Sequence, residues 1–224
     1  MRVEPSAVRY VDVAAFESTP VAEDPFPHIV VRNFLSKENV ARVAADFPRL
    51  PGPGAFPPRA LRLNGHFAGL MEELSGPWLR QAVEDKFTID LSGRPLVWTV
   101  RGHVRERDGS VHTDTQSKLV TLLLYLNEGW ENPGGRLRLL RSPDSLDDPA
   151  VEIAPEGGTL LCFLRSDRSW HGHLPYLGER RAVQLNFMTD ARVAAREEAR
   201  HLLSARMKQA AAFIRRGSFS ATGG

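Results

Sequence analysis

Between residues 96 and 188 the chain breaks into six short β-type runs: LVWTVRGHV, KLVTLLLYL, RLRLL, VEIA, GTLLCFL and RAVQLNFM. They are rich in β-branched, leucine and aromatic residues, and clusters of Gly, Pro, Asp and Ser separate them. Several short strands divided by turn signals predict a sandwich or barrel rather than a doubly wound sheet.

The flanks read differently. Residues 1–25 show weak periodicity and predict an irregular or lightly strand-forming segment. PFPHIVVRNFL follows as a strand ending near Asn33. Ser36 is a good N-cap for a helix carrying Val40, Val43, Ala44 and Phe47 on one face. Five prolines between Pro48 and Pro58, interleaved with Gly52 and Gly54, end that helix, and residues 50–65 are a candidate lid. Helical pattern returns from about Phe67 to Phe87, broken near Gly76-Pro77. After Asp190, a fitting N-cap, the chain is helical in composition, with Val193, Leu203, Met207, Ala210 and Ile214 as its apolar positions. The reading is one domain: a strand with buttressing helices over 1–95, the β core over 96–189, a helix over 190–216 and a disordered tail over 217–224.

Composition narrows the classes. No window holds the 18 or so apolar residues of a membrane span, and the first residues lack the apolar run of a secretory signal. The single Cys162, in the apolar run TLLCFL, reads as a packing residue and fits a reducing, cytoplasmic setting. A net charge of +2 gives no general reason to expect nucleic acid. Of 29 basic residues 25 are arginine, the side chain whose planar fork suits carboxylates, although surface bias explains most of that excess. No P-loop, G-x-G-x-x-G or G-x-S-x-G stands in the sequence.

The chemistry-bearing residues are few. In an extended segment, residues two apart share a face, so His112 and Asp114 of His-Thr-Asp can address one metal ion. Two imidazoles and one carboxylate hold one face of Fe(II) and leave three positions open. The second imidazole must come from a distant strand, and His171 and His173 both qualify. An H-x-D triplet alone is weak ground for any of this.

Around these residues the chain reads SVHTDTQSKLVTLLLYLNEGW, then GGRLRLL, then SWHGHLPYLGERRAVQLNF. Over about residues 96–189 it resembles the prolyl-hydroxylase-like family of Fe(II)/2-oxoglutarate-dependent oxygenases, with weaker similarity in PFPHIVVRNFL. The resemblance implies a mainly β fold with flanking helices around a double-stranded β-helix, or jelly-roll, core. It implies Fe(II) as cofactor, 2-oxoglutarate and O2 as co-substrates, and ascorbate as a candidate reductant. The family places an anchoring arginine nine residues after its distal histidine, which selects Arg180 and with it His171 over His173. The iron ligands implied are then His112, Asp114 and His171, with Arg180 pairing the far carboxylate of 2-oxoglutarate. Tyr125 matches a tyrosine that hydrogen-bonds the co-substrate, Thr121 assists from the same strand face, and Leu137 matches an apolar wall residue. Arg181 is expected on the opposite face, pointing to solvent. Asn127, Trp130 and the pair Gly134-Gly135 match turn positions. Related halogenases replace the carboxylate ligand by a small residue, so Asp114 favours hydroxylation, although desaturation and ring formation use the same ligands.

The substrate is thinly written. If the strand before the motif is regular, Arg101, His103, Arg105 and Arg107 share a face, as pocket cations for an acidic or amide-bearing substrate or as a solvated outer face. His173 lines the pocket or simply packs, and Gln184 and Asn186 share the face of Arg180. The reading is hydroxylation of an unactivated C–H bond in a small molecule or tethered metabolite, with succinate and CO2 as co-products. A protein or peptide side chain, prolyl-type, comes second. Rival classes are a cupin-like metal-binding protein without catalysis, a silent interaction domain and a zinc hydrolase. Neither nucleic acid nor membrane is expected as a partner, and the C-terminal helix is a candidate homodimer contact.

Overall fold

The computed structural model describes residues 9–220 of the chain, without the side chains of 211–220. Its strands are β1 (His28–Val31), β2 (Leu96–Val104), β3 (Lys118–Tyr125), β4 (Leu137–Leu140), β5 (Val151–Ile153), β6 (Leu160–Leu164), β7 (Trp170–His173) and β8 (Gly178–Met188). They form a five-stranded sheet in the order β1-β6-β3-β8-β2 and a three-stranded sheet in the order β5-β4-β7, with every pairing antiparallel. These are the two sheets of the predicted jelly roll. Five helices flank them: α1 (Val13–Ser18), α2 (Lys37–Ala45), α3 (Gly65–Leu74), α4 (Pro77–Phe87) and α5 (Ala191–Ser220), with a 3-10 turn at Pro58–Ala60.

Period-two alternation sorts the larger sheet into two faces. Val120, Leu122 and Leu124 of β3, with Val183, Leu185 and Phe187 of β8, pack against Leu70, Leu79 and Val83 of the helices. Leu123, Tyr125, Leu161, Phe163 and Ala182 point the other way, onto Leu137, Leu139 and Ile153 of the smaller sheet. Both faces of β3 are covered, which is why it reads as an unbroken apolar run rather than an alternating one. Cys162 lies on the helix side, fully buried and unpaired.

Several sequence expectations hold in detail. Ser36 caps α2 by accepting from the Asn39 amide, and α3 and α4 part at Gly76-Pro77. Others do not. The first described residues include a helix, α1, because Asp12 caps it by accepting from the Ala15 amide. Strand β7, sequence WHGH, has only Trp170 as a strand-favouring residue and forms because the ladder with β4 holds it. Helix α5 runs to Ser220, past the boundary drawn at Gly217; a single glycine costs about 1 kcal/mol in a helix and does not end one. The last four residues of the expected tail lie outside the described part. The inward face of α5 is also not the apolar one expected: Ala194 and Ala205 are buried, while Leu203 and Met207 are 63% and 65% exposed.

Asn127 ties the turn after β3 to two other segments. Its Nδ2 donates to the carbonyls of Pro155 (2.6 Å) and Arg181 (3.2 Å), and its Oδ1 accepts from the Arg181 amide (2.7 Å). Asn127→Ala removes all three partners at once and is expected to lower unfolding stability by about 2–3 kcal/mol, measured by denaturant titration. A loss within experimental error would show that water replaces these bonds freely.

Candidate metal centre and adjoining cavity

His112 and Asp114 sit in the extended connection between β2 and β3, and His171 is in β7. What brings them together is an isolated antiparallel bridge: the His112 amide donates to the His171 carbonyl (3.0 Å) and the His171 amide donates back (2.9 Å). Residues paired in this way present side chains on the same face, and the two imidazole centroids lie 4.4 Å apart. With Asp114, two positions on, one ligand atom from each residue lies within 4.8 Å of the others.

The protonation state of these groups suits a cation. In His112, Nδ1 donates to the Ser110 carbonyl (2.9 Å), and in His171 it donates to the Ser169 carbonyl (2.9 Å). A carbonyl only accepts, so each ring carries a proton on Nδ1, which leaves Nε2 as the nitrogen that can face a metal ion, the arrangement that orients histidine ligands. Burial, with the neighbouring His112 imidazole, holds the His171 pKa down at about 4 against the opposing pull of Asp114. Burial works to raise the Asp114 pKa, but the Lys118 ammonium, His171 and two hydrogen bonds outweigh it and keep the carboxyl below the usual range. Those bonds come from Lys118 Nζ to Oδ1 (2.6 Å) and from the Thr121 hydroxyl to Oδ2 (2.5 Å). Two imidazoles anchored at Nδ1 and an ionised carboxylate form a donor set that fits Fe(II).

The depressed His171 pKa fixes the direction of a pH effect. Unfolded, His171 takes up a proton near its ordinary 6.5; folded, it does so only near 4. Metal-free protein should therefore lose stability as pH falls from 6.5 towards 4, by on the order of 3 kcal/mol from this group. His173 and His201, whose pKa values burial also lowers, add to the loss. Denaturant titrations across that range on wild type and His171→Asn should give a shallower acid slope in the variant; equal slopes would mean that His171 is not protected from protonation.

Arg180 lies on the inward face of β8, 7% exposed. Its Nε donates to the Gly135 carbonyl (2.8 Å), its Nη2 lies 3.4 Å from the Tyr125 hydroxyl, and the guanidinium rests over the Tyr125 ring. Gly135 turns with φ +73°, a conformation L side chains rarely adopt. Tyr125 is fully buried, and burial raises its pKa more than Arg180 lowers it, so the phenol stays protonated. Leu137 lines the inter-sheet core beside Tyr125. Arg181 is on the opposite face as expected but does not extend into solvent: it faces the helices, half-buried, with its guanidinium over the Phe47 ring.

The remaining candidates separate. Thr121 donates to the Asp114 carboxylate and lies 3.0 Å from the Asn186 side-chain amide, so its hydroxyl is engaged with that carboxylate first. His173 is 7% exposed, opposite Leu137, and its Nδ1 donates to the Leu174 carbonyl. Gly109 lets it pack there, since a Cβ at that residue would come within 2.4 Å of the imidazole. The β2–β8 register slips between Arg101 and His103, and the strand is not the regular ladder its cations required. Arg101 stays on the inward face, whereas His103, Arg105 and Arg107 are exposed and stand outside the cavity beside the metal centre.

That cavity has a volume of about 110 Å³. Thr99, Arg101, Lys118, Gln184 and Asn186 form its sheet side, and Glu197, Glu198, Arg200 and His201 of α5 close it. Pro57 of the 50–65 segment completes the wall. That candidate lid is pinned rather than free: Phe56 is bridged to Val100 by two backbone hydrogen bonds, and Arg59 pairs with Glu198. Sequence reasoning missed Lys118 and the polar face of α5. The four-residue step from Asp114 to Lys118 could have suggested the first; only tertiary packing reveals the second.

Residues 100–188 match the model of the family described as the 2OG-Fe(II) oxygenase superfamily. Among solved structures the chain is similar to a Pseudomonas putida prolyl-4-hydroxylase, at 21% identity and a TM-score of 0.55 over 84% of this chain and 100% of that one. It is also similar to a prolyl 4-hydroxylase from Phytophthora capsici (18% identity, TM-score 0.54, 83% and 68% of the two chains). A third is the viral collagen prolyl hydroxylase of Paramecium Bursaria Chlorella virus-1 (16%, 0.52, 85% and 99%). At such identities these likenesses speak for the fold. None of the curated proteins compared with the chain matches it. No helix among the described residues is long and apolar enough to cross a membrane.

Proposed function

We propose that the chain, whose residues 100–188 match the model of the 2OG-Fe(II) oxygenase superfamily, is an iron- and 2-oxoglutarate-dependent dioxygenase that hydroxylates an unactivated C–H bond of a small molecule or tethered metabolite. The observation that carries the reading is the placing of two Nδ1-anchored imidazoles and one ionised carboxylate within 4.8 Å, with a small walled cavity alongside.

In this reading His112, Asp114 and His171 would hold the iron, which with 2-oxoglutarate and O2 would supply the oxidising power, with succinate and CO2 as co-products. The chain's own contribution is positioning. Lys118 and Thr121 each fix one oxygen of Asp114, so the carboxylate cannot swing away. Arg180, locked by the Gly135 carbonyl and the Tyr125 ring, presents a fork to the distal carboxylate of the co-substrate. Phe163 packs against the His171 ring (centroids 5.1 Å apart) and keeps that side of the centre dry.

A second reading, hydroxylation of a protein or peptide side chain, is favoured by the prolyl hydroxylases among the structures of similar fold. The closed wall of α5 and the small cavity support the first. Adding 2-oxoglutarate anaerobically to Fe(II)-loaded protein should produce the weak visible charge-transfer band of the chelate. Oxygen-dependent succinate release, scored against a small-molecule panel and against proline-containing peptides, then separates the substrates. No band at stoichiometric iron would remove the oxygenase reading in favour of a metal-binding protein without catalysis.

A further inference from the structure

We propose that the cavity between β2, β8 and α5 binds the carboxylate of a small substrate through the guanidinium of Arg101, an inference that rests on the oxygenase reading of the adjacent metal centre. Arg101 faces inward opposite Ala182, one strand across from the face that carries Arg180, Gln184 and Asn186. Its Nε is sealed from solvent and has no hydrogen-bond partner among the described residues. Arg101 is half-buried, and a sealed donor left unmade costs free energy whatever the exposure of the rest of the side chain.

The other charges around the cavity are already matched. Lys118 is bound to Asp114 at 2.6 Å, Arg200 to Glu197 at 2.8 Å, and Glu198 to Arg59 at 3.2 Å. None of these ion pairs includes Arg101, so the wall has one cation in excess at the place where a ligand would sit. Burial and the nearby Arg180 both press on the Arg101 charge, which Asp114 and Asp108 offset only from a distance. An incoming anion relieves that imbalance.

The lining sets the ligand class. Gln184 and Asn186 bring side-chain amides beside Arg101, while Pro57, Val97, Trp98 and Met188 are apolar. An apolar cavity of about 150 Å³ takes one benzene, so about 110 Å³ suits a short, branched aliphatic acid. Arg180 and Tyr125 are not among the lining residues, which separates this anion site from the co-substrate anchor. Thr115 and Lys118 are, and Lys118 is bound to Asp114, so a bound acid would lie beside the residues that flank the candidate metal centre.

The test uses Fe(II)- and 2-oxoglutarate-loaded protein under anaerobic conditions, titrated calorimetrically with branched monocarboxylates of four to six carbons and their primary amides. Appearance of the chelate band on loading establishes the oxygenase reading independently. Carboxylates are expected to bind at least about tenfold tighter than their amides. Arg101→Gln should erase that difference and leave 2-oxoglutarate affinity within about twofold. Arg101→Met should raise the melting temperature of the loaded protein, because it removes a half-buried cation that lies in no ion pair and whose Nε has no partner. Equal binding of acids and amides, or no binding by any acid of the series, overturns the proposal. So does an Arg101→Gln protein that binds 2-oxoglutarate about tenfold more weakly, which would assign Arg101 to the co-substrate. A fall in melting temperature for Arg101→Met would make Arg101 a structural group and overturn it as well.

Discussion

An Asp114→Ala protein is expected to lose stoichiometric iron and at least about 10³-fold in turnover. The size of the effect follows from two changes that reinforce each other. The first is loss of the anionic member of the donor set, the group whose charge most favours a divalent cation over two neutral imidazoles. The second is what the substitution leaves behind. Lys118, whose side chain is 14% exposed, has its Nζ 2.6 Å from Asp114 Oδ1. Without that carboxylate its ammonium stands unmatched beside His112 and His171 and repels the ion they would share. The double variant Asp114→Ala/Lys118→Met separates the two. It should recover part of the metal affinity lost in Asp114→Ala while leaving turnover low. Metal stoichiometry by elemental analysis and succinate release measure both arms. Near-normal turnover in Asp114→Ala would remove Asp114 from the metal.

Much of the site is legible in the residues alone, for identifiable reasons. Residue spacing on extended backbone puts His112 beside Asp114, and strand alternation puts Tyr125, Thr121, Arg180, Gln184 and Asn186 on one face, because a period of two survives wherever a ladder is regular. Arg181 falls on the opposite face for the same reason. The pairing of His112 with His171 needs a bridge between segments 59 residues apart, and only the family resemblance supplies that partner. What stays hidden is set by irregularity and tertiary contact. A register slip in the β2–β8 ladder takes His103 out of the pocket while Arg101 stays in. The apolar residues of α5 predict its inward face wrongly, because that face is polar, with Glu197, Glu198 and His201 over the cavity and Leu203 in solvent. Hydrophobic periodicity finds faces that bury apolar area; it does not find a face that closes a polar site.

The second large effect is expected at the co-substrate. Arg180→Ala should weaken 2-oxoglutarate binding about 10²- to 10³-fold, the scale of removing one partner from a desolvated charge pair. The surroundings of Arg180 predict a graded series. Its Nε is committed to the Gly135 carbonyl at 2.8 Å, so the fork reaches the ligand with its terminal nitrogens in a fixed plane. Lysine offers a point charge and cannot hold that carbonyl and a carboxylate in the same geometry, so Arg180→Lys should fall between, about tenfold weaker than wild type. Tyr125→Phe should cost least, about two- to fivefold. The hydroxyl is 3.4 Å from Arg180 Nη2, a long contact of little strength, and the ring that carries the guanidinium remains. Anaerobic titration of the chelate band gives all three constants. Iron content should be unchanged throughout the series, because none of these side chains is among the three proposed ligands. Loss of iron in Arg180→Ala would mean that the variant disturbs the fold around Gly135 and β7, and the affinity change could not then be assigned to the anchor. The ordering alanine, lysine, phenylalanine from largest loss to smallest, at constant iron, is what a bidentate anchor stiffened by an aromatic ring requires.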